Sequence, residues 1–178
     1  MTPYEIAGQI ISIFAMGFTI ISYQQKIQKR LLFCQLVGAT LFSISFFLLG
    51  ATIGALLNLV AALRTLMFLF PKKLNASHPA WLAAFIACYV FFYVFNFAVL
   101  GTEPTPVALA IEILPIIGMT ALSVAFMFQN SSKVRLLGLI SSPSWLIYNI
   151  YYLSFGAIIC EVLSLASIFI GILRHDKK

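Results

Sequence analysis

QQKIQKR, residues 24–30, is the first polar break in the chain, and it carries three cations, Lys26, Lys29 and Arg30. The next break in the apolar sequence, around Gly50, carries none. PKKLNASHP (71–79) brings Lys72 and Lys73, whereas the gap at 101–106 holds only Glu103. QNSSKVR (129–135) contributes Lys133 and Arg135, the gap at 154–156 is uncharged, and the tail from Arg174 to Lys178 is again basic. Ten of the eleven lysines and arginines thus fall at one and the same end of the apolar runs. Such alternation is the positive-inside pattern of a multi-span membrane protein, in which short cytoplasmic loops hold the Lys/Arg excess.

Composition excludes the water-soluble classes. The chain is 62% hydrophobic and 9% charged with a mean hydropathy of +1.03, against roughly 45–50% apolar and 25% charged residues in an average soluble domain. Its net charge of +6 would point to nucleic acid in a soluble protein, but here orientation in the bilayer accounts for it, and nucleic-acid binding is not expected. A cleavable signal peptide is not expected either: residues 1–5 are acidic, and no small-residue cleavage site follows the first apolar run. Cys34, Cys88 and Cys160 all lie in apolar stretches and read as small buried hydrophobes, not as a disulfide framework or a metal site.

About 20 apolar residues cross the hydrocarbon core. Seven stretches qualify, at 4–22, 31–49, 52–70, 80–100, 107–128, 136–154 and 157–173. Backbone groups cannot stay unpaired in lipid, so each is a helix. Tight connections at Gly50 and at 154–156 make antiparallel hairpins of spans two and three and of spans six and seven. An odd span count with basic loops on one side puts the N-terminus outside and the C-terminus in the cytoplasm. Span one and span five are each followed by a basic loop, a span, a tight Gly-containing turn, a span and more basic residues. The fold expected is all-α and integral to the membrane: two parallel triple-helix bundles, residues 1–70 and 107–178, joined by a linker helix within 71–106. IGALLN (53–58) is locally similar to GAIICE (156–161), although identity between the halves is low and the offset drifts, so the repeat rests on architecture more than on letters.

That three-plus-one-plus-three order resembles the SWEET and PQ-loop transporters, whose repeats are parallel. Trp145-Leu146-Ile147-Tyr148, with Glu161 sixteen positions after the Trp, is similar to that family's WxxY turn and pocket Asn; Phe42 and Asn58 repeat the spacing in the first half. The Pro-Gln pair of the PQ-loop family is replaced by Tyr23-Gln24 and Phe128-Gln129, with no Pro. A closer resemblance is to the YgjV-type bacterial inner membrane proteins, carried by LLNLVAALRTL (56–66), EILPIIG (112–118), WLIYN (145–149) and Cys160-Glu161. This resemblance implies a multi-pass inner-membrane location and names no solute.

Ionisable groups within spans are costly and normally face a cavity or a partner. There are three: Arg64, Glu112 and Glu161. At 1.5 Å per residue, Glu112 lies about 8 Å and Glu161 about 6–8 Å below the outer edge of their spans, with Gln9, Asn58 and Asn149 at about 7–9 Å. Five polar side chains from five spans share one layer. Each Asn or Gln also reads as packing glue between helices. Trp145 sits near the middle of span six with Asn149 one turn away on the same face, whereas Tyr148, Tyr151 and Tyr152 read as an outer interfacial belt. Arg64 lies about 9 Å from the cytoplasmic end of its span. It snorkels to the headgroups or caps a backbone carbonyl, or else it pairs with a carboxylate or an anionic solute.

Asn58, Glu112, Trp145, Asn149 and Glu161 are therefore the candidate solute-binding residues. Desolvation favours the protonated form of a buried carboxyl, which suits proton coupling. Pro115 and Pro143 free backbone carbonyls within spans five and six, and with Gly17 and Gly38 they are candidate hinges. His78 and His175 have no Cys or carboxylate at ligand spacing, and no phosphate loop or nucleophile elbow occurs, so neither metal, cofactor nor enzymatic activity is expected. The expected partners are the lipid bilayer and a small polar solute, moved by alternating access between the repeats. The competing expectation is a non-transporting membrane component, an assembly partner or a sensor.

Overall fold

The computed structural model describes residues 2–49, 52–76, 78–99, 101, 103–151 and 155–176. Gly50, Ser154, Tyr152, Ser77 and the last two lysines, Lys177 and Lys178, lie outside the described residues, so the two expected tight turns and one member of the aromatic belt are not described. Among the described residues there are seven helices and no strand: α1 (Pro3–Tyr23), α2 (Gln28–Leu48), α3 (Thr52–Leu69), α4 (Pro79–Ala98), α5 (Pro106–Met127), α6 (Ser131–Tyr151) and α7 (Phe155–His175).

Local chemistry sets their starts. Thr2 and Glu5 form a reciprocal capping box on α1, with Thr2 N–H donating to Glu5 Oε2 at 2.9 Å. Pro79 and Pro106 open α4 and α5, where a missing N–H costs nothing, behind caps supplied by His78 and Thr105. α6 begins at Ser131, five residues before the expected 136. Lys133 and Arg135 are therefore helical, because Arg135 finds an anion inside the protein instead of solvent.

α1, α2, α4, α5 and α7 are long and apolar enough to cross a bilayer; α3, taken from Gly54 to Leu69, is a shorter apolar helix. α6 falls short for a different reason: it spends its length on serines and turns them inward. Ser141, Ser142, Ser144 and Asn149 are buried, while Leu136, Ile140, Ile147 and Ile150 lie on the surface. The same inversion holds on α7, where Ser164 and Ser167 are buried and Ile159, Val162, Phe169 and Ile170 are exposed. A water-soluble helix has the opposite arrangement. Lipid accepts the apolar surface, while Ser167 donates to the Ile20 carbonyl of α1 at 2.7 Å and Ser144 to the Ile140 carbonyl one turn back in its own helix at 2.8 Å.

α1 packs on α2 and α2 on α3; α5 packs on α6 and α6 on α7; α4 leans on α5 and α3. The two groups meet through α1 against α7 and α3 against α5. Six helices thus form a ring in the order α1, α2, α3, α5, α6, α7, with α3 opposite α7 and α4 outside. Basic segments gather at one end, where Ser131 donates to the Lys26 carbonyl at 2.6 Å and His175 Nε2 lies 2.9 Å from the Gln24 carbonyl oxygen. The apolar core lies at that same end: Tyr23, Leu31, Leu32, Met67, Phe68, Ala76, Phe126, Val134 and Ile168 form one cluster, with Phe68 edge-on to Phe126 at 5.7 Å between centroids.

Candidate functional site

Away from that core the ring is hollow. A cavity of about 630 Å³ is lined by all six ring helices and by no residue of α4, within the roughly 300–1,000 Å³ typical of small-molecule sites. Its exposed lining residues are Gln9 and Ile13 on α1 and Gly156 and Ile159 on α7. Gln9, Gly156 and Ile159 lie in the halves of these helices remote from the basic end and Ile13 at the midpoint of α1, so the mouth opens there, between α1 and α7. Tyr23, Arg64, Thr65, Ser141, Ser142 and Ser164 line the cavity and are buried. They form its floor.

Four of the five candidate binding residues reach this space: Asn58 from α3, Trp145 and Asn149 from α6, and Glu161 from α7. Asn58 also donates to the carbonyl of Gly54 one turn back, at 2.9 Å, so part of its polarity is spent locally. Trp145 stands edge-on to Tyr148 at 5.8 Å between centroids. It fits because Gly118 of α5 leaves room: a Cβ there would lie 3.1 Å from the indole Cδ1. The Glu161 carboxyl interacts with the Ser142 hydroxyl across the α6–α7 interface. Gln9, also expected in this layer, stands exposed at the mouth.

Glu112 is placed elsewhere. It lines a separate recess of about 30 Å³ with Tyr89, Tyr93, Asn96, Pro115 and Tyr148. Leu57 and Met119 line both spaces and form the wall between them. Depth along the span is as expected; the side chain faces α4 instead of the ring interior. Tyr148 joins this recess and feels the Glu112 carboxyl electrostatically, whereas Tyr151 is 46% exposed.

Of the candidate hinges, Pro115 and Pro143 lie within α5 and α6, which run on through them. Gly38 is a site of close approach between α2 and α1: a Cβ there would come within 2.9 Å of Thr19 Oγ1 and 3.3 Å of the Ala15 carbonyl oxygen. Gly17 faces open space.

Arg64 does not snorkel. It is 3% exposed and turns inward from α3, where Nη1 donates to Tyr89 Oη at 3.2 Å, to the Met119 carbonyl at 2.8 Å and to Ser123 Oγ at 3.1 Å. The Phe126 ring lies beneath the guanidinium, 4.9 Å from centroid to Cζ. Acceptors on α4 and α5 hold the charge below the headgroups, which depth arithmetic on α3 alone does not reveal.

The basic end is closed by a polar lock. Arg135, 1% exposed, donates from Nε to Asp176 Oδ2 at 2.8 Å, from Nη2 to Asp176 Oδ1 at 2.5 Å, and from Nη1 to the carbonyls of Gln25 at 2.9 Å and Tyr23 at 3.3 Å. Ser132 adds a bond to Asp176 Oδ1 at 2.7 Å. Gln24 reaches across to Ser167, donating to its carbonyl at 2.6 Å and its hydroxyl at 2.8 Å. Hydrogen bonding to Arg135 holds the Asp176 carboxyl below the ordinary carboxylate range; partial burial opposes this, and Ser132 assists it. In the linear sequence Arg135 and the basic tail read as orienting charge. Asp176 sits among Arg174, His175, Lys177 and Lys178, which hid its pairing.

A family model, Imp-YgjV, described as a bacterial inner membrane protein, matches residues 6–178. Neither the curated proteins nor the solved structures give a match.

Proposed function

The chain belongs to the Imp-YgjV family of bacterial inner membrane proteins, and on that premise we propose that it moves a small polar solute across the inner membrane by alternating access. One observation carries this reading: the cavity has a mouth at one end, while a packed apolar core and the Arg135–Asp176 lock close the other. A space open to one side and sealed by reversible polar contacts on the other has the form of one state of an alternating-access cycle.

In this reading α1–α3 and α5–α7 are parallel repeats joined by α4, as in the SWEET and PQ-loop transporters. Residues 1–70 and 107–178 then rock against each other about Pro115, Pro143 and Gly17. The basic end is cytoplasmic, so the N-terminus is outside and the state described faces outward. Asn58, Trp145, Asn149 and Glu161 line the solute path, and protonation of Glu161 couples a proton to the movement.

The native thiol at Cys160 lines the cavity and supplies a test that needs no knowledge of the solute. In a Cys34→Ser, Cys88→Ser background, an impermeant maleimide should label Cys160 in both right-side-out and inside-out vesicles if the cavity alternates. Labelling from the mouth side alone would end the transport reading and leave a sensor or assembly partner.

A further inference from the structure

We infer that Arg64 is an anion subsite at the floor of the cavity, built to take the carboxylate or phosphate of a small ligand that carries one anionic group and no second. The inference deepens the transport reading and rests on that reading's assignment of the cavity as a solute site.

Arg64 is a permanent cation in a cavity-lining position, and it is nine-tenths buried and more. Its hydrogen-bond acceptors are a phenol, a peptide carbonyl and a serine hydroxyl, all neutral. The other buried arginine, Arg135, has its carboxylate in Asp176; Arg64 is given dipoles and a ring face in place of a counter-charge. The distribution of its bonds is equally telling. All three leave from Nη1, while Nε is buried with no partner and Nη2 takes no part in them. Nε and Nη2 form the side-on edge of the guanidinium, the edge that grips a carboxylate or phosphate through two parallel bonds. Nη1 is the anchor that fixes the plane, and the Phe126 ring supports it from one face.

Charge across the cavity narrows the class. Glu161 stands on α7, opposite α3 in the ring, lines the same cavity, and with Arg64 acts electrostatically on Tyr23. An anionic group seated on Arg64 leaves the rest of the ligand toward Glu161. A neutral or cationic remainder is accepted there, and a second anionic group is repelled.

The test uses the full chain purified in neutral detergent, with amino acids, hydroxy acids and phosphomonoesters as probes, each paired with its amide, alcohol or amine at equal ionic strength. At least one acid or monoester should raise the melting temperature where its uncharged partner does not. Arg64→Lys, which keeps the charge and loses the fork, should weaken that probe about tenfold or more, equivalent to about 1.4 kcal/mol. Ser123→Ala, which removes one anchor of Nη1, should weaken it by less. In nanodiscs, stabilisation by phosphatidylglycerol over phosphatidylcholine, lost in Arg64→Lys, would identify the anion as a lipid headgroup; stabilisation by the soluble probes alone identifies a free solute. Equal protection by charged and uncharged partners, no protection by any acid, monoester or anionic lipid, or unchanged affinity in both variants would overturn the inference. The two readings fail separately. Anion binding without any uptake would end transport and keep the subsite, whereas uptake of solutes indifferent to Arg64→Lys would do the reverse.

Discussion

Arg135 on α6 holds Asp176, one residue past the end of α7, through two parallel N–H···O bonds at 2.8 and 2.5 Å, and the same guanidinium reaches the carbonyl of Tyr23, the last residue of α1, and that of Gln25 just beyond it. Three helices that belong to different halves of the chain are fastened at one side chain. Replacing Asp176 by Asn leaves the buried Arg135 charge without its anion. The expected loss is roughly 2–3 kcal/mol, below the roughly 3–5 of a fully buried pair because Asp176 keeps some access to water. In the single-thiol background, labelling of Cys160 from the basic side should rise severalfold. An unchanged labelling ratio would show that the lock does not hold the closed end.

The same pair predicts a pH dependence. Asp176 has its folded pKa below the unfolded carboxylate value of about 3.9, first through its hydrogen bond to Arg135. Its stabilising contribution is therefore complete above that unfolded value and is lost as pH falls through the lower, folded one. The melting temperature of the wild type should be insensitive to Asp176 from about pH 8 to pH 5 and fall below about pH 4. Asp176→Asn should melt lower at neutral pH and show a shallower acid decline. Parallel curves would contradict the assignment.

Gly171 faces the point where α1 ends. A Cβ there would press into the Tyr23 carbonyl oxygen and come within 2.8 Å of Arg135 Cδ. Backbone has to move, and overpacking of this kind costs about 1–3 kcal/mol. Gly171→Ala should lower the melting temperature and raise basic-side labelling of Cys160, whereas Gly17→Ala, with open space around it, should leave the melting temperature unchanged. Calorimetry and maleimide labelling of the two variants decide it.

Glu161 and Glu112 separate cleanly. Glu161 lines the cavity; Glu112 lies behind Leu57 and Met119. With a solute identified by thermal stabilisation, Glu161→Gln should abolish uptake into proteoliposomes or flatten its pH profile, with the fold retained. Glu112→Gln should leave uptake within about twofold, a shift of under about 0.4 kcal/mol. Equal and complete loss in both variants would mean that the Leu57–Met119 wall opens during the cycle, and unchanged uptake in both would end the role given to Glu161.

Much of this was legible in the residues. Charge placement located seven helices and their common basic end, because apolar length and loop cations are properties of the linear chain. Helix azimuth is not. Arithmetic on α3 gave Arg64 a depth, but its acceptors lie 25 to 59 residues away, and only packing brings α4 and α5 to it. Glu112 had the right depth and the wrong face for the cavity, since the wall that cuts it off is made by two apolar side chains with no chemical signature. Asp176 was masked by the cations around it. The serines of α6 look like weak membrane character in sequence; in the bundle they are its inner surface.

α4 has one fully buried residue, Tyr89, whose hydroxyl meets Arg64 and Ser123. The remainder of its surface meets the bilayer or packs loosely on α3 and α5. Mutational tolerance along the chain should therefore be sharply uneven. On α4, apolar side chains should exchange almost freely, with hydropathy and not shape as the constraint, and Tyr89 as the exception. On α6, where small polar residues face inward over several turns, a saturation library should return few survivors at positions 138, 141, 142 and 149.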